Sequence, residues 1–219
     1  MTVFMNDPKK NQKANIARTL AWLLTEPDEE MAESIMNGET YRIFSDYFKT
    51  SNGGVHFLKE FFPQGDQGDI LQKMKEEYQR LFRDPQSNDL WWVESVHKAW
   101  TNDPECRLSM AREKGYVMGD SALHMLELYR SFGIEMPGSY SGLPDHIVLE
   151  LDFLAFLIER DSEESVKVFL RDHLDWVSEM VRRGREYQPS PFYSSVFEAL
   201  EVFIASEKKE ADREASHYA

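Results

Sequence analysis

The stretch Pro144-Asp145-His146-Ile147-Val148-Leu149-Glu150-Leu151-Asp152-Phe153-Leu154-Ala155-Phe156-Leu157 constrains this chain most. Ile147, Leu151, Leu154 and Ile158 recur at helical spacing, as do Val148, Phe153, Phe156 and Leu157. Apolar residues therefore cover most of the circumference, which predicts a central helix buried on nearly every side. Pro144 cannot continue a preceding helix, and Asp145 reads as the N-cap. The ten residues 133–142 hold three Gly, two Ser and one Pro, the composition of a hinge. A hinge leading into an Asp-His pair at the start of a core helix is where function is expected.

Around this helix the chain reads as all-α. The spacing predicts helices over 15–24, 28–36, 40–48 and 55–62, with a turn at Ser51-Asn52-Gly53-Gly54 and a stop at Pro63. A stronger helix over 69–82 carries the stripe Ile70, Met74, Tyr78, Leu81 and Phe82, and Asp84-Pro85-Gln86-Ser87-Asn88 breaks it. The cluster Leu90-Trp91-Trp92-Val93 follows. Further helices are predicted over 104–114 and 121–132, the latter capped by Asp120. A long helix is predicted from 162 or 163 to 183 and a last one over 192–205, with a charged, fraying tail from 208. No stretch alternates with period two, so no sheet is expected. The expectation is one bundle-like domain over 1–219, of about nine or ten helices. Its N-terminal half is 1–132, its hinge 133–144 and its C-terminal half 145–219.

Composition excludes several function classes. With 219 residues and 42 % hydrophobic content, the chain can bury a real core. A formal net charge of -14 argues against nucleic acid, whose phosphates need clustered Lys and Arg, and favours a basic partner or simply serves solubility. The single cysteine, Cys106, rules out an internal disulfide and fits a reducing compartment. No stretch approaches the ~18 apolar residues of a membrane span, and no signal-peptide core precedes the first helix. A cytoplasmic protein without stable membrane insertion is expected.

Catalytic motifs are incomplete. Glu94-Ser95-Val96-His97 has the Glu-x-x-His spacing of di-iron bundles, but those sites need a second copy and two further Glu. There is no P-loop, Rossmann fingerprint, His-Glu-x-x-His or nucleophile elbow. Neither a metal nor another cofactor is expected to reside in the chain, and no enzymatic activity is expected. Asp145-His146 has the composition of an acid/base pair, and a small-molecule or nucleotide site at that mouth is the alternative reading. Two adjacent Trp cannot both point inward from one helix face, so one of Trp91 and Trp92 is expected to line a groove or a joint.

Four segments together carry a resemblance: Tyr78-Gln79-Arg80-Leu81-Phe82, Trp92-Val93-Glu94-Ser95-Val96, Pro144 to Leu154, and Ser190-Pro191-Phe192-Tyr193. In order and spacing they resemble the TorD/DmsD family of redox-enzyme maturation chaperones, over residues 78–207. That family usually has an acidic residue before Pro-Asp-His, where this chain has Leu143. The resemblance implies a non-catalytic, all-helical chaperone. It would bind the twin-arginine leader and the apo-form of a molybdopterin oxidoreductase catalytic subunit until the molybdenum cofactor is inserted. It would act as a monomer or a domain-swapped dimer. On this reading Tyr78, Leu81, Phe82, Trp91, Trp92, Asp145 and His146 border one peptide groove, with Asp145 facing a leader arginine and His146 donating to the peptide.

Overall fold

The computed structural model describes residues 7–50, 56–61, 65–83 and 91–215. The turn read at 51–54, the stop at Pro63 and the breaker at 84–88 lie outside them. The described residues form α1 (Pro8–Leu23), α2 (Glu29–Met36), α3 (Glu39–Thr50), α4 (Gln67–Phe82), α5 (Glu94–His97), α6 (Asp120–Phe132), α7 (Ile147–Arg160), α8 (Glu163–Asp172), α9 (Val177–Glu186) and α10 (Pro191–Ala215). Two 3-10 helices, His56–Phe61 and Gly138–Tyr140, complete the set. Among the described residues there is no sheet, only an isolated antiparallel bridge between Val93 and His146.

Local chemistry starts most helices. Asp7, Asp28, Asp66 and Ser162 each sit in extended conformation and accept an amide N–H from the first turn of α1, α2, α4 and α8. Glu29 and Glu30, and Glu163 and Glu164, add negative charge at two of those N-termini. Gly133 ends α6 in the left-handed region at φ 66°, and Ile134 N–H returns to Tyr129 O at 2.8 Å.

α7 is the axis. Ten of its fourteen residues are buried, and only a narrow stripe of Asp152, Phe156, Glu159 and Arg160 reaches toward solvent. α1 lies along it, where Ala14, Ala17 and Ala21 allow close approach, and Arg18 pairs with Glu159 across the joint. α8 packs on another side of α7, and α10 covers α1, α8, α9 and the 3-10 helix at His56–Phe61. One apolar cluster runs from Ala14 to Ile204 and draws on both sides of residues 133–144.

Several local readings change. α1 begins at Pro8, with Asp7 as its cap, rather than at 15. Residues 104–114 are turns, not helix. Backbone bonds from Trp100 N to Glu113 O and Thr101 N to Ala111 O close that segment on itself, and Arg112 donates to Thr101 O and Asp103 O. Asp120 is the first residue of α6, with Gly119 as its N-cap. The Asp120 carboxylate instead accepts from Thr101 Oγ1 and Asn102 N. The helix read over 162–183 is two helices, α8 ending at Asp172 and α9 starting at Val177, with His173, Leu174 and Trp176 buried between them. α10 continues to Ala215 rather than ending near 205. Its charges are paired: Lys13 bridges Glu207 and Glu210, and Tyr47 Oη donates to Glu207 at 2.7 Å.

Candidate functional site

The C-terminal turn of α4 presents Tyr78, Leu81 and Phe82 on one face, three and four positions apart. Trp91 closes over that turn. Its indole N–H donates to Leu81 O at 3.3 Å, satisfying a carbonyl that the helix end leaves open. Its ring stacks on Phe82 at 5.2 Å and meets Phe197 edge-on at 5.6 Å. Gly184 of α9 lies beneath it, where a Cβ would stand 2.8 Å from Trp91 Cζ3. Trp92 packs edge-on against both Trp91 and Phe82.

Trp91 is 0 % exposed and Trp92 9 %, so neither lines an open groove; of the two expected roles Trp91 takes the joint, between α4, α9 and α10. The constraint assumed a helix, whereas 91–92 form a turn leading into an extended Val93. Successive side chains there leave on different sides, and both find cover.

Val93 then pairs with His146. Ile147 N–H reaches Trp92 O at 3.0 Å, and Glu94 N–H reaches Asp145 O at 2.9 Å. Asp145 does not cap its own helix. Its side chain is fully buried and Oδ2 accepts the Ser95 N–H at 2.7 Å, capping α5 instead. Burial raises its pKa, Ser95 opposes that shift, and the Glu94 charge adds to it. Among the described residues no arginine pairs with it.

His146 takes the N-cap position of α7, its Nδ1 accepting the Val148 N–H at 3.1 Å. An acceptor nitrogen carries no hydrogen, so the ring is neutral with its proton on Nε2. Burial first, and the Arg83 charge second, push its pKa down to about 3. Only Nε2 can donate to a ligand, not either nitrogen. Tyr140, from the segment after α6, packs edge-on against the ring at 4.8 Å.

All seven expected residues thus meet along one seam between α4, α5 and α7. The seam is closed: six of the seven are buried and His146 is half-buried.

Behind it lies a polar cluster. Glu94 and Glu150 are both 0 % exposed, and with His173 they bring potential ligand atoms within 4.8 Å of one another. His173 Nδ1 is 2.9 Å from Glu94 Oε2, and its Nε2 is 2.7 Å from His124 Nδ1. Lys98 Nζ lies 2.6 Å from Glu94 Oε1, and Trp176 Nε1–H donates to Glu150 Oε2 at 3.1 Å. Burial raises the pKa of Glu150, and the neighbouring Glu94 charge raises it further. Burial acts on Glu94 in the same direction, but His173 and Lys98 outweigh it and the net shift is downward. His97, the partner suggested by the Glu-x-x-His spacing, instead bonds Trp91 O at 2.7 Å.

An apolar cavity of about 290 Å³ opens between α6, α7 and α8, lined by Leu128, Phe132, Phe153, Val168 and Phe169 among others. His124 and His173 stand at its wall, and none of the seven seam residues lines it.

The model of the family described as nitrate reductase delta subunit matches residues 49–182. The chain belongs to the nitrate reductase delta subunit family. This is a family of molybdoenzyme maturation chaperones, not of catalysts, and it includes the TorD-type proteins that the sequence resembles. No curated protein matches the chain. All seven seam residues of this nitrate reductase delta family member, together with Glu94, Glu150 and His173, lie inside the matched span. The cluster and the cavity were missed by reading the sequence. One signal was present: Glu150 interrupts an otherwise apolar helical face.

Proposed function

We propose that this delta-family chaperone binds the twin-arginine leader and the apo-form of a molybdopterin oxidoreductase in the cytoplasm. It holds both until the molybdenum cofactor is inserted and the client is released for export. The observation that carries the reading is the convergence of the seven residues on one seam inside the family-matched span. Aromatic rings there offer apolar area to a leader's hydrophobic stretch, and the net charge of -14 suits its basic end.

Because the seam is packed shut, leader binding opens it. The covering segment, residues 133–144, bonds mostly to itself and to the end of α6, and it packs Ile134, Met136, Tyr140 and Leu143 on the core. Tyr129 Oη donates to Pro144 O at 2.9 Å, and Gly138–Tyr140 is a single 3-10 turn. Displacing that segment uncovers His146, then Asp145, whose carboxylate gains a leader arginine as partner. No helix among the described residues is long and apolar enough to cross a membrane.

The test is titration calorimetry with a leader peptide against wild type and Asp145→Asn. Asparagine keeps an acceptor for Ser95 N–H but removes the charge. Affinity falling several-fold with an unchanged melting temperature supports the reading. Unchanged affinity places the leader elsewhere.

A further inference from the structure

Glu94, Glu150 and His173 come from three different helices or helix ends, and each has one polar atom held from outside the trio. Lys98 contacts Glu94 Oε1, Trp176 donates to Glu150 Oε2, and His124 meets His173 Nε2. What remains is Glu94 Oε2, His173 Nδ1 and Glu150 Oε1. The first two face each other at 2.9 Å. Glu150 Oε1 is fully buried and accepts no hydrogen bond. An outside partner on the far atom of each ligand is the arrangement by which proteins orient metal-binding side chains.

We propose that Glu94, Glu150 and His173 form a binding site for a divalent transition-metal ion of borderline softness, with Zn²⁺ as the representative ion. Two carboxylates and an imidazole are ligands that zinc accepts, and three protein ligands leave a fourth position for water. Tetrahedral zinc bonds of about 2.0–2.2 Å set ligand atoms about 3.5 Å apart, so separations of up to 4.8 Å must close by about 1 Å and the 2.9 Å Glu94–His173 contact must open. Two carboxylates bring two negative charges to the dication, and the Lys98 ammonium at 2.6 Å from Glu94 Oε1 is a further positive charge beside them. Binding requires all three ligand atoms unprotonated, so uptake weakens as pH falls. His173, as ligand through Nδ1, carries its hydrogen on Nε2 and donates it to His124 Nδ1. The route in is the cavity between α6, α7 and α8, whose wall includes His124 and His173. The ion would join α5, α7 and the end of α8, the elements immediately behind the seam. The inference does not depend on leader binding.

The test is equilibrium dialysis of untagged, chelator-stripped protein against Zn²⁺, with Co²⁺ absorption as a second readout. Wild type and the surface control His56→Gln are expected to take up about one ion per chain, with ligand-field bands for Co²⁺. Glu150→Gln retains an acceptor for Trp176 and is neutral, as the protonated acid is, so it is expected to fold. It and His173→Gln are expected to bind at least about tenfold more weakly. Melting temperatures taken in chelator verify that both variants are folded. No uptake by wild type at micromolar free Zn²⁺, or equal uptake by folded Glu150→Gln, overturns the site.

Discussion

Asp145 caps a helix that is not its own. Its carboxylate accepts Ser95 N–H at 2.7 Å from fifty residues away, while its carbonyl accepts Glu94 N–H at 2.9 Å. The start of α5 and the start of α7 are thereby one unit, closed by the Val93–His146 bridge. The leader-binding proposal depends on whether that unit comes apart.

The cap is tested by a pair of substitutions. Asp145→Asn keeps the acceptor and is expected to cost less than about 1 kcal/mol. Asp145→Ala leaves the buried Ser95 N–H unpaired and is expected to cost about 1–3 kcal/mol. Urea unfolding of both variants checks the difference, and equal costs would show that the bond contributes nothing.

Stability should also depend on pH through Glu150. Burial and the Glu94 charge raise its folded pKa. Below the ordinary carboxyl range, folded and unfolded chains are both protonated there, and the stabilising contribution is fully present. As pH rises past that range, only the unfolded chain ionises. Wild type then loses stability relative to Glu150→Gln by about 1.4 kcal/mol per pH unit, until the folded pKa is reached. Denaturation of both proteins in chelator at pH 5, 6 and 7 measures this, and a constant difference would contradict it.

Gly184 fixes how closely α9 approaches the aromatic seam. A Cβ there would meet Trp91 Cζ3 at 2.8 Å and Phe197 Cε2 at 3.0 Å. Gly184→Ala is expected to cost about 1–3 kcal/mol by overpacking, despite the gain in helix propensity. Thermal melting that shows stabilisation would mean the Trp91 ring moves freely.

Leu151 and Leu154 are both fully buried on α7. Replacing either by Ala is expected to cost about 2–5 kcal/mol, the transfer loss plus a cavity. Chemical denaturation showing less than about 0.5 kcal/mol, the scale of a surface change, would mean α7 is not the axis.

Much of this fold was legible in the sequence, because apolar periodicity and polar caps are local signals. α7, α4 and α6 fall where Ile147, Tyr78 and Leu126 predict helices. The break at His173–Trp176 was not legible, since the apolar stripe runs through it unbroken. The contacts at the break are partly remote: Trp176 N–H is shared between His173 O at 2.8 Å and Glu150 Oε2 at 3.1 Å, and His173 faces Glu94. The seam was legible as a set of residues but not as a closed packing. Asp145 looks like a local cap, and only the fold brings Ser95 to it. The same distance in sequence hid Glu94, Glu150 and His173 from one another, while adjacency drew attention to His97.

Hydrogen–deuterium exchange across the seam tests the central claim most directly. The free chaperone holds the amides of Glu94, Ser95 and Ile147 in bonds between α5 and α7. Adding a saturating twin-arginine leader peptide of a molybdopterin oxidoreductase is predicted to speed exchange in segments 91–97 and 145–150. The middle of α1 should stay unchanged. A leader that fails to bind, or that binds while both segments exchange as before, would contradict the account.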